Sequence, residues 1–235
     1  MNYNTVFFLC LAFAIVVPYL ICSINPAIIA AKIKSGRDIR EMGSGNPGLT
    51  NTLRTMGKRA AAVVLLCDVL KGVVSILAVM LFVQIFLSHL TMYEPRYVFM
   101  WIGSLTAVLG HCYPIYYKFK GGKAVLVTVS TLFVIDWLTA IIALSLFIII
   151  VLITRYVSLG SIVAAILYPL IAFVIGTYVW NSPHMLMAVI IPSMIAIVLV
   201  FKHLGNIGRL IQGNEKKLGK RETQEIQEQQ EKQET

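Results

Sequence analysis

Residues 124–180 form an almost unbroken apolar run, and no other feature limits this chain so tightly. Only Asp136, the Thr154-Arg155 pair and Ser158 to Ser161 punctuate it. Further apolar runs cover residues 6–24, 60–87, 97–112 and 185–201. A run of about 20 such residues matches the hydrocarbon core of a bilayer as a helix. Hydrophobic residues make up 58% of the 235 residues and charged residues 13%. Soluble domains average about 45–50% and about 25%. The comparison excludes an ordinary soluble globule, a disordered chain and a disulfide scaffold. The runs are continuous instead of alternating, so the spans are helices and not barrel strands.

The first run has no Lys or Arg before it, so it lacks the basic start of a signal peptide and reads as a retained span. Pro18 removes one of its helical hydrogen bonds and marks a kink. Residues 32–59 are polar and basic. The run at 97–112 is near the lower length for a crossing. Asn181-Ser182-Pro183-His184 is a turn signal. Cys10, Cys22, Cys67 and Cys112 form no metal-type pair and read as plain thiols in or beside apolar runs.

Charge sets the orientation. Lys32, Lys34, Arg37, Arg40, Arg54, Lys58 and Arg59 surround the first polar loop. Lys118, Lys120 and Lys123 occupy the second, Arg155 the third, and Lys202, Arg209, Lys216, Lys217, Lys220 and Arg221 the C-terminal end. Arg96 stands alone among basic residues in the opposite loops. Lys and Arg collect on the cytoplasmic side, so the N-terminus faces out and the C-terminus faces the cytoplasm. Lys123 and Arg155 then lie on one side, and the roughly thirty residues between them are too few for two full spans. They predict a short helical hairpin bending near Asp136. The expected fold is an all-α polytopic bundle of seven transmembrane helices, some short, with five as the fallback. Residues 1–213 read as one membrane-embedded domain, and residues 214–235 as a polar cytoplasmic tail, solvated or a frayed helix.

Three unusual segments share the basic face. The first is Gly43-Ser44-Gly45-Asn46-Pro47-Gly48-Leu49-Thr50-Asn51, followed by Arg54. Its glycines permit close backbone approach, and successive N–H groups can cradle an anion. Ser44, Asn46, Thr50 and Asn51 add neutral donors, and Arg54 a planar cation suited to phosphate. No Gly-Lys-Ser/Thr closes the loop, so it is not a P-loop. The second is Gly110-His111-Cys112-Tyr113-Pro114 with Lys118-Phe119-Lys120-Gly121-Gly122-Lys123. It sets cations and glycine N–H groups at the start of the next apolar run, where helix N–H groups are unpaired. The third is His203-Leu204-Gly205-Asn206-Ile207-Gly208-Arg209, then Gln212-Gly213-Asn214-Glu215. On a helix, His203, Asn206 and Arg209 share a side. Taken singly, each segment also reads blandly, as a turn, as basic anchoring or as a snorkelling helix end.

Together the three segments, in this order, resemble the bacterial membrane glycerol-3-phosphate acyltransferases of the PlsY type. The resemblance covers about residues 5–215. Leu49 stands where the family has alanine, and Leu204-Gly205 where it has an Arg-Glu pair. The resemblance implies seven helices and a cytoplasmic-side site in the cell membrane. It implies transfer of a fatty acyl group from acyl phosphate to the first hydroxyl of glycerol 3-phosphate, giving lysophosphatidic acid and phosphate, in the first step of phospholipid biosynthesis. It implies Ser44, Arg54, His111, Lys123, His203 and Asn206 as catalytic residues. Gly43, Gly45, Asn46, Gly48, Thr50, Asn51, Lys120, Gly121, Gly122, Ser158, Ser161, Arg209 and Glu215 are the implied phosphate contacts. An enzyme that produces acyl phosphate is the implied functional partner.

The base stays open. His111 and His203 are the side-chain candidates, and a phosphate monoester with a second pKa of about 6 is the other. Asp68 and Lys71, three apart in a span, read as a structural pair. His89 and Glu94 have a His-x4-acid spacing but fall on the outer loop. Carboxylates do not cluster, so no metal and no cofactor is expected. A transporter or channel for phosphorylated anions is the alternative. It would favour an inverted repeat, and the sequence shows none.

Overall fold

The computed structural model describes residues 2–87, 95–181 and 185–219, and the regular elements among them are all helices. Among the described residues the α-helices are α1 (Tyr3–Ser23), α2 (Pro26–Ser35), α3 (Leu49–Met56), α4 (Lys58–Leu87) and α5 (Pro95–Cys112), then α6 (Val125–Ile135), α7 (Trp137–Thr154), α8 (Val157–Tyr178), α9 (Met185–Lys202) and α10 (Leu204–Ile211). Short 3-10 turns occupy Ile39–Glu41 and Ile115–Tyr117. Most of the outer loop with His89 and Glu94, the turn at 182–184 and the tail beyond 219 lie outside the described residues.

Among the described residues, five helical stretches are long and apolar enough to cross a membrane: Tyr3–Ser35, Lys58–Leu87, Arg96–Tyr117, Trp137–Thr154 and Val157–Tyr178. The α9–α10 pair, bent by 57°, makes a sixth. The expected hairpin is present, because α6 stops and α7 starts at Asp136. Its first arm is only 11 residues, however, which is why the count of long helices stops at six. Asp136 makes the bend by capping α7. Its carboxylate accepts from the Thr139 amide at 3.2 Å, and from the Trp180 indole at 3.1 Å. A carboxylate at the N-cap satisfies orphan N–H groups. The helix α1 continues through Pro18.

Helix packing follows the rule for apolar surroundings, where close backbone approach replaces hydrophobic driving force. Helix α1 buries Val6, Cys10, Ala14, Pro18 and Cys22, one residue every four, as a narrow stripe. Gly110 of α5 lies directly on the Tyr19 backbone carbonyl of α1, and a Cβ there would overlap it. Gly72 of α4 meets Ser130 and the Val127 carbonyl of α6 in the same way. Large side chains point outward instead. Ile153 is 77% exposed and Leu152 74%, as a lipid-facing surface requires. The four cysteines are free thiols, three of them buried.

The segment read as a polar loop is more ordered than the sequence suggested. Asn25 caps α2 with Pro26 at its first position, a favoured start, and α3 follows the glycine loop. Arg40 ties this segment to the next. It pairs with Asp38 at 2.7 Å and donates to the carbonyls of Tyr117 and Lys120 at 3.1 and 3.2 Å.

Candidate functional site

The three glycine-and-cation segments converge on one cavity of about 530 Å³. Four helices begin at its wall: α3 after Gly48, α6 after Ala124, α8 after Tyr156 and α10 after His203. None of these four starts has a side-chain cap. By contrast, α1, α2 and α7 are capped by Asn2, Asn25 and Asp136. An uncapped start leaves N–H groups unpaired and carries partial positive charge. Four of them facing one space form an anion receptor before any side chain is counted.

The side chains add to it. Arg54, Lys123, Lys202, Arg209 and Lys216 line the cavity against two carboxylates, Asp68 and Glu215. Lys123 donates to the Asn206 carboxamide, which joins the second segment to the third. Burial first, and then the nearby Arg209, Arg54 and Lys202 cations, push the Lys123 ammonium down to about 8, although Glu215 pulls it back up. Asn206 in turn donates to Glu215 Oε1 at 2.6 Å, and Arg209 to Oε2 at 2.8 Å. Burial works against the Glu215 charge, but Ser158, Asn206 and Arg209 outweigh it and hold the carboxyl below its usual range. The buried Ser158 hydroxyl lies beside Glu215 on the cavity wall, without a hydrogen bond of ordinary geometry. Ser161 also lines the cavity, its hydroxyl bonded to the Val157 carbonyl at 2.9 Å.

The two histidines are fixed differently. His203 sits at the bend after α9 and shares its Nδ1 with the Leu199 carbonyl at 2.7 Å. A carbonyl only accepts, so Nδ1 carries the proton and Nε2 keeps its lone pair. His111, at the end of α5, has Nδ1 2.9 Å from the Lys71 ammonium.

All six expected catalytic residues line this cavity: Ser44, Arg54, His111, Lys123, His203 and Asn206. So do Asn46, Gly48, Thr50, Asn51, Ser158, Ser161, Arg209 and Glu215. Asn51 spends its side chain on the loop. It accepts from the Ser44 amide at 2.9 Å and donates to the Met42 and Ile39 carbonyls at 2.9 and 3.3 Å.

Gly43, Gly45, Lys120, Gly121 and Gly122 are not on the wall. Gly43 and Gly45 adopt positive φ of 54° and 70°, which turns the loop. Gly121 and Gly122 let the second segment press on the end of α5, with Gly122 between His111 and the Pro47 carbonyl. Lys120 is exposed. Lys202 and Lys216 are wall residues that the sequence marked only as orienting charges. Arg54 donates to the Lys216 carbonyl at 3.2 Å, so the start of the tail belongs to the site.

Away from the polar residues, the cavity wall is an apolar slot formed by α6, α7 and α8. Val129, Leu132, Ala143, Phe147, Ala165 and Tyr168 form its walls.

The glycerol-3-phosphate acyltransferase family profile matches residues 12–213. A glycerol-3-phosphate acyltransferase from Bartonella henselae is 36% identical over 203 residues, 86% of this chain and 89% of that one. Its counterpart from Francisella tularensis subsp. novicida is 38% identical over 202 residues, covering 86% and 89%. Among solved structures, the crystal structure of PlsY (YgiH), an integral membrane glycerol 3-phosphate acyltransferase, in its glycerol 3-phosphate form superposes with a TM-score of 0.74. It is 32% identical and covers 89% of this chain and 96% of that one. The lysophosphatidic acid form gives a TM-score of 0.69 at 29% identity, covering 89% and 95%.

Proposed function

Because the chain belongs to the glycerol-3-phosphate acyltransferase family, we propose that it is a multi-pass membrane enzyme that acylates the sn-1 hydroxyl of glycerol 3-phosphate. Acyl phosphate is the donor, and lysophosphatidic acid and inorganic phosphate are the products. The observation that favours this most is the joining of four uncapped helix starts to an apolar slot in one cavity. The reaction needs places for two phosphates and one fatty chain, and the cavity offers that chemistry.

The hydroxyl oxygen attacks the acyl carbonyl, the C–O bond to phosphate breaks, and phosphate leaves with the electron pair. Arg54, Lys123 and the helix starts stabilise the negative charge that builds up. Ser44, Asn46, Gly48, Thr50, Ser158, Ser161, Asn206 and Arg209 hold phosphate oxygens. Asn51, Gly43, Gly45, Gly121, Gly122 and Glu215 support them by fixing the loops and the donors. Lys120 draws anionic substrate toward the mouth. The neutral Nε2 of His203 accepts the hydrogen of the attacking hydroxyl and orients it. His203 is buried near the Lys123 cation, an unfavourable place for a second positive charge. The proton therefore passes to the dianionic phosphate of glycerol 3-phosphate, whose second pKa is about 6.

The α6–α7 hairpin counts as two of seven membrane passes, with the N-terminus outside and the site and C-terminus on the cytoplasmic side. Residues 1–213 form the enzyme domain, and an enzyme that makes acyl phosphate supplies the donor. The test mixes detergent-solubilised protein with palmitoyl phosphate and glycerol 3-phosphate. Phosphate release that requires both substrates, with lysophosphatidic acid formed, is expected. Anion flux in vesicles without acyl transfer would favour a transporter instead.

A further inference from the structure

A buried ion pair stands at the cavity wall, with Asp68 on the lining and Lys71 behind it. Lys71 and Asp68 are one turn apart on α4, 2.8 Å between charged atoms, and both are buried. The Lys71 ammonium also donates to the Ile24 carbonyl at 2.8 Å and contacts His111 Nδ1 at 2.9 Å. An ammonium has three hydrogens and no lone pair. Its contacts here are a carbonyl, a carboxylate in an ion pair and an imidazole nitrogen. His111 Nδ1 must therefore be the unprotonated nitrogen, and Nε2 must carry the hydrogen.

Asp68 makes this matter. Its Oδ1 is 3.6 Å from the same Nδ1. Without Lys71, a carboxylate beside Nδ1 would draw the proton there and leave Nε2 as a lone pair. That is the arrangement of a histidine general base oriented by an aspartate. Lys71 stands between them and enforces the opposite tautomer. His111 also lines the cavity, and its Nε2 edge is packed against Gly122, where the first and second segments meet.

We infer that Lys71 is a positioning residue for the acyl transfer: it holds His111 as an Nε2–H donor toward the substrate's anionic oxygen and withholds it as a base. Its role in turnover rests on the acyl-transfer reading above, but the tautomer itself does not.

The experiment uses the full chain in detergent with ¹⁵N-labelled histidines, the His111 signals being those lost in His111→Gln. The wild type should show an unprotonated Nδ1 and a protonated Nε2. In Lys71→Met the pattern should reverse, with kcat down about 100- to 1,000-fold, as for loss of one preorganised donor, and the KM for glycerol 3-phosphate nearly unchanged. Lys71→Met combined with Asp68→Asn removes both buried charges and offers an amide N–H to Nδ1. It should restore the Nε2–H pattern and most of kcat, and it keeps the question open to measurement if the single variant does not fold. A protonated Nδ1 in the wild type would overturn the inference. So would a reversed tautomer with kcat unchanged, or a double variant that regains Nε2–H without regaining turnover. A wild type with the expected tautomer but no acyl transfer would instead sink the reaction assigned above.

Discussion

His111 and His203 line one cavity and both leave Nε2 free, but in opposite protonation states: His111 Nδ1 receives from Lys71, while His203 Nδ1 gives to the Leu199 carbonyl. One ring is thus a donor at Nε2 and the other an acceptor. His203 is buried near the Lys123 cation, where a second positive charge is disfavoured, so it orients the hydroxyl instead of taking its proton. A base must be deprotonated to work, so kcat/KM should fall as pH drops through the pKa of whatever takes the proton. The fall is expected near the phosphate value of about 6, and it should persist in the residual activity of His203→Gln. A limb that vanishes in that variant would make His203 the base.

Lys123 titrates on the other side. Burial and neighbouring cations lower it to about 8. The charged form binds phosphate, so kcat/KM should fall as pH rises through about 8. Lys123→Arg should carry activity to higher pH, because guanidinium stays charged. Lys123→Ala should lose at least about tenfold, the loss expected for one charge-assisted contact. A flat profile to pH 9.5 in the wild type would remove Lys123 from phosphate binding.

Metal dependence is a separate matter. Hard cations need several oxygen ligands, and no group of three His, Cys, Asp or Glu among the described residues could hold a metal. Acyl transfer is expected to continue in excess EDTA. Loss of turnover that Mg²⁺ restores would show that an ion shares the phosphate site.

The helix contacts predict a stability difference between glycines. Gly72→Val would force a side chain into Ser130 and the Val127 carbonyl, parting α4 from α6. Overpacking of this kind costs about 1–3 kcal/mol. Gly208→Ala meets open space on α10 and should be neutral or stabilising. Thermal midpoints in one detergent compare the two, and equal midpoints would refute the close-packing account.

Much of this was legible in the sequence because its signals are local. The apolar runs placed α1, α4, α5 and α9, and the Asp136-Trp137 interruption marked the α6–α7 bend. The three motifs announced their residue types, and the positive face brought them to one end. The rest depends on contacts between distant residues. Lys71 sits 40 positions from His111, and only the α4–α5 packing joins them. Nothing in the order of Gly48, Ala124, Tyr156 and His203 says that four uncapped helices will start around one space. The polar segment hid α2, although Asn25-Pro26 is a cap followed by a favoured first residue, a signal that could have been read.

The apolar slot makes the last prediction. Ser158 at the mouth and Tyr168 at depth are ten residues apart on α8, which is about 15 Å of helix. An extended acyl chain advances about 1.3 Å per carbon, the projection of a C–C bond of about 1.5 Å. About a dozen carbons therefore fit before the chain meets Leu132 and Tyr168, and a longer tail has to bend past them toward lipid. Ala143 of α7 is on the slot wall and buried. Ala143→Phe should block the deep part and leave the phosphate contacts intact. For hexadecanoyl phosphate, kcat/KM should fall about tenfold or more, the scale on which pockets discriminate apolar groups. Octanoyl phosphate should be used about as well as before, with KM for glycerol 3-phosphate unchanged. Equal losses for both donors would mean that the acyl chain does not run along this slot.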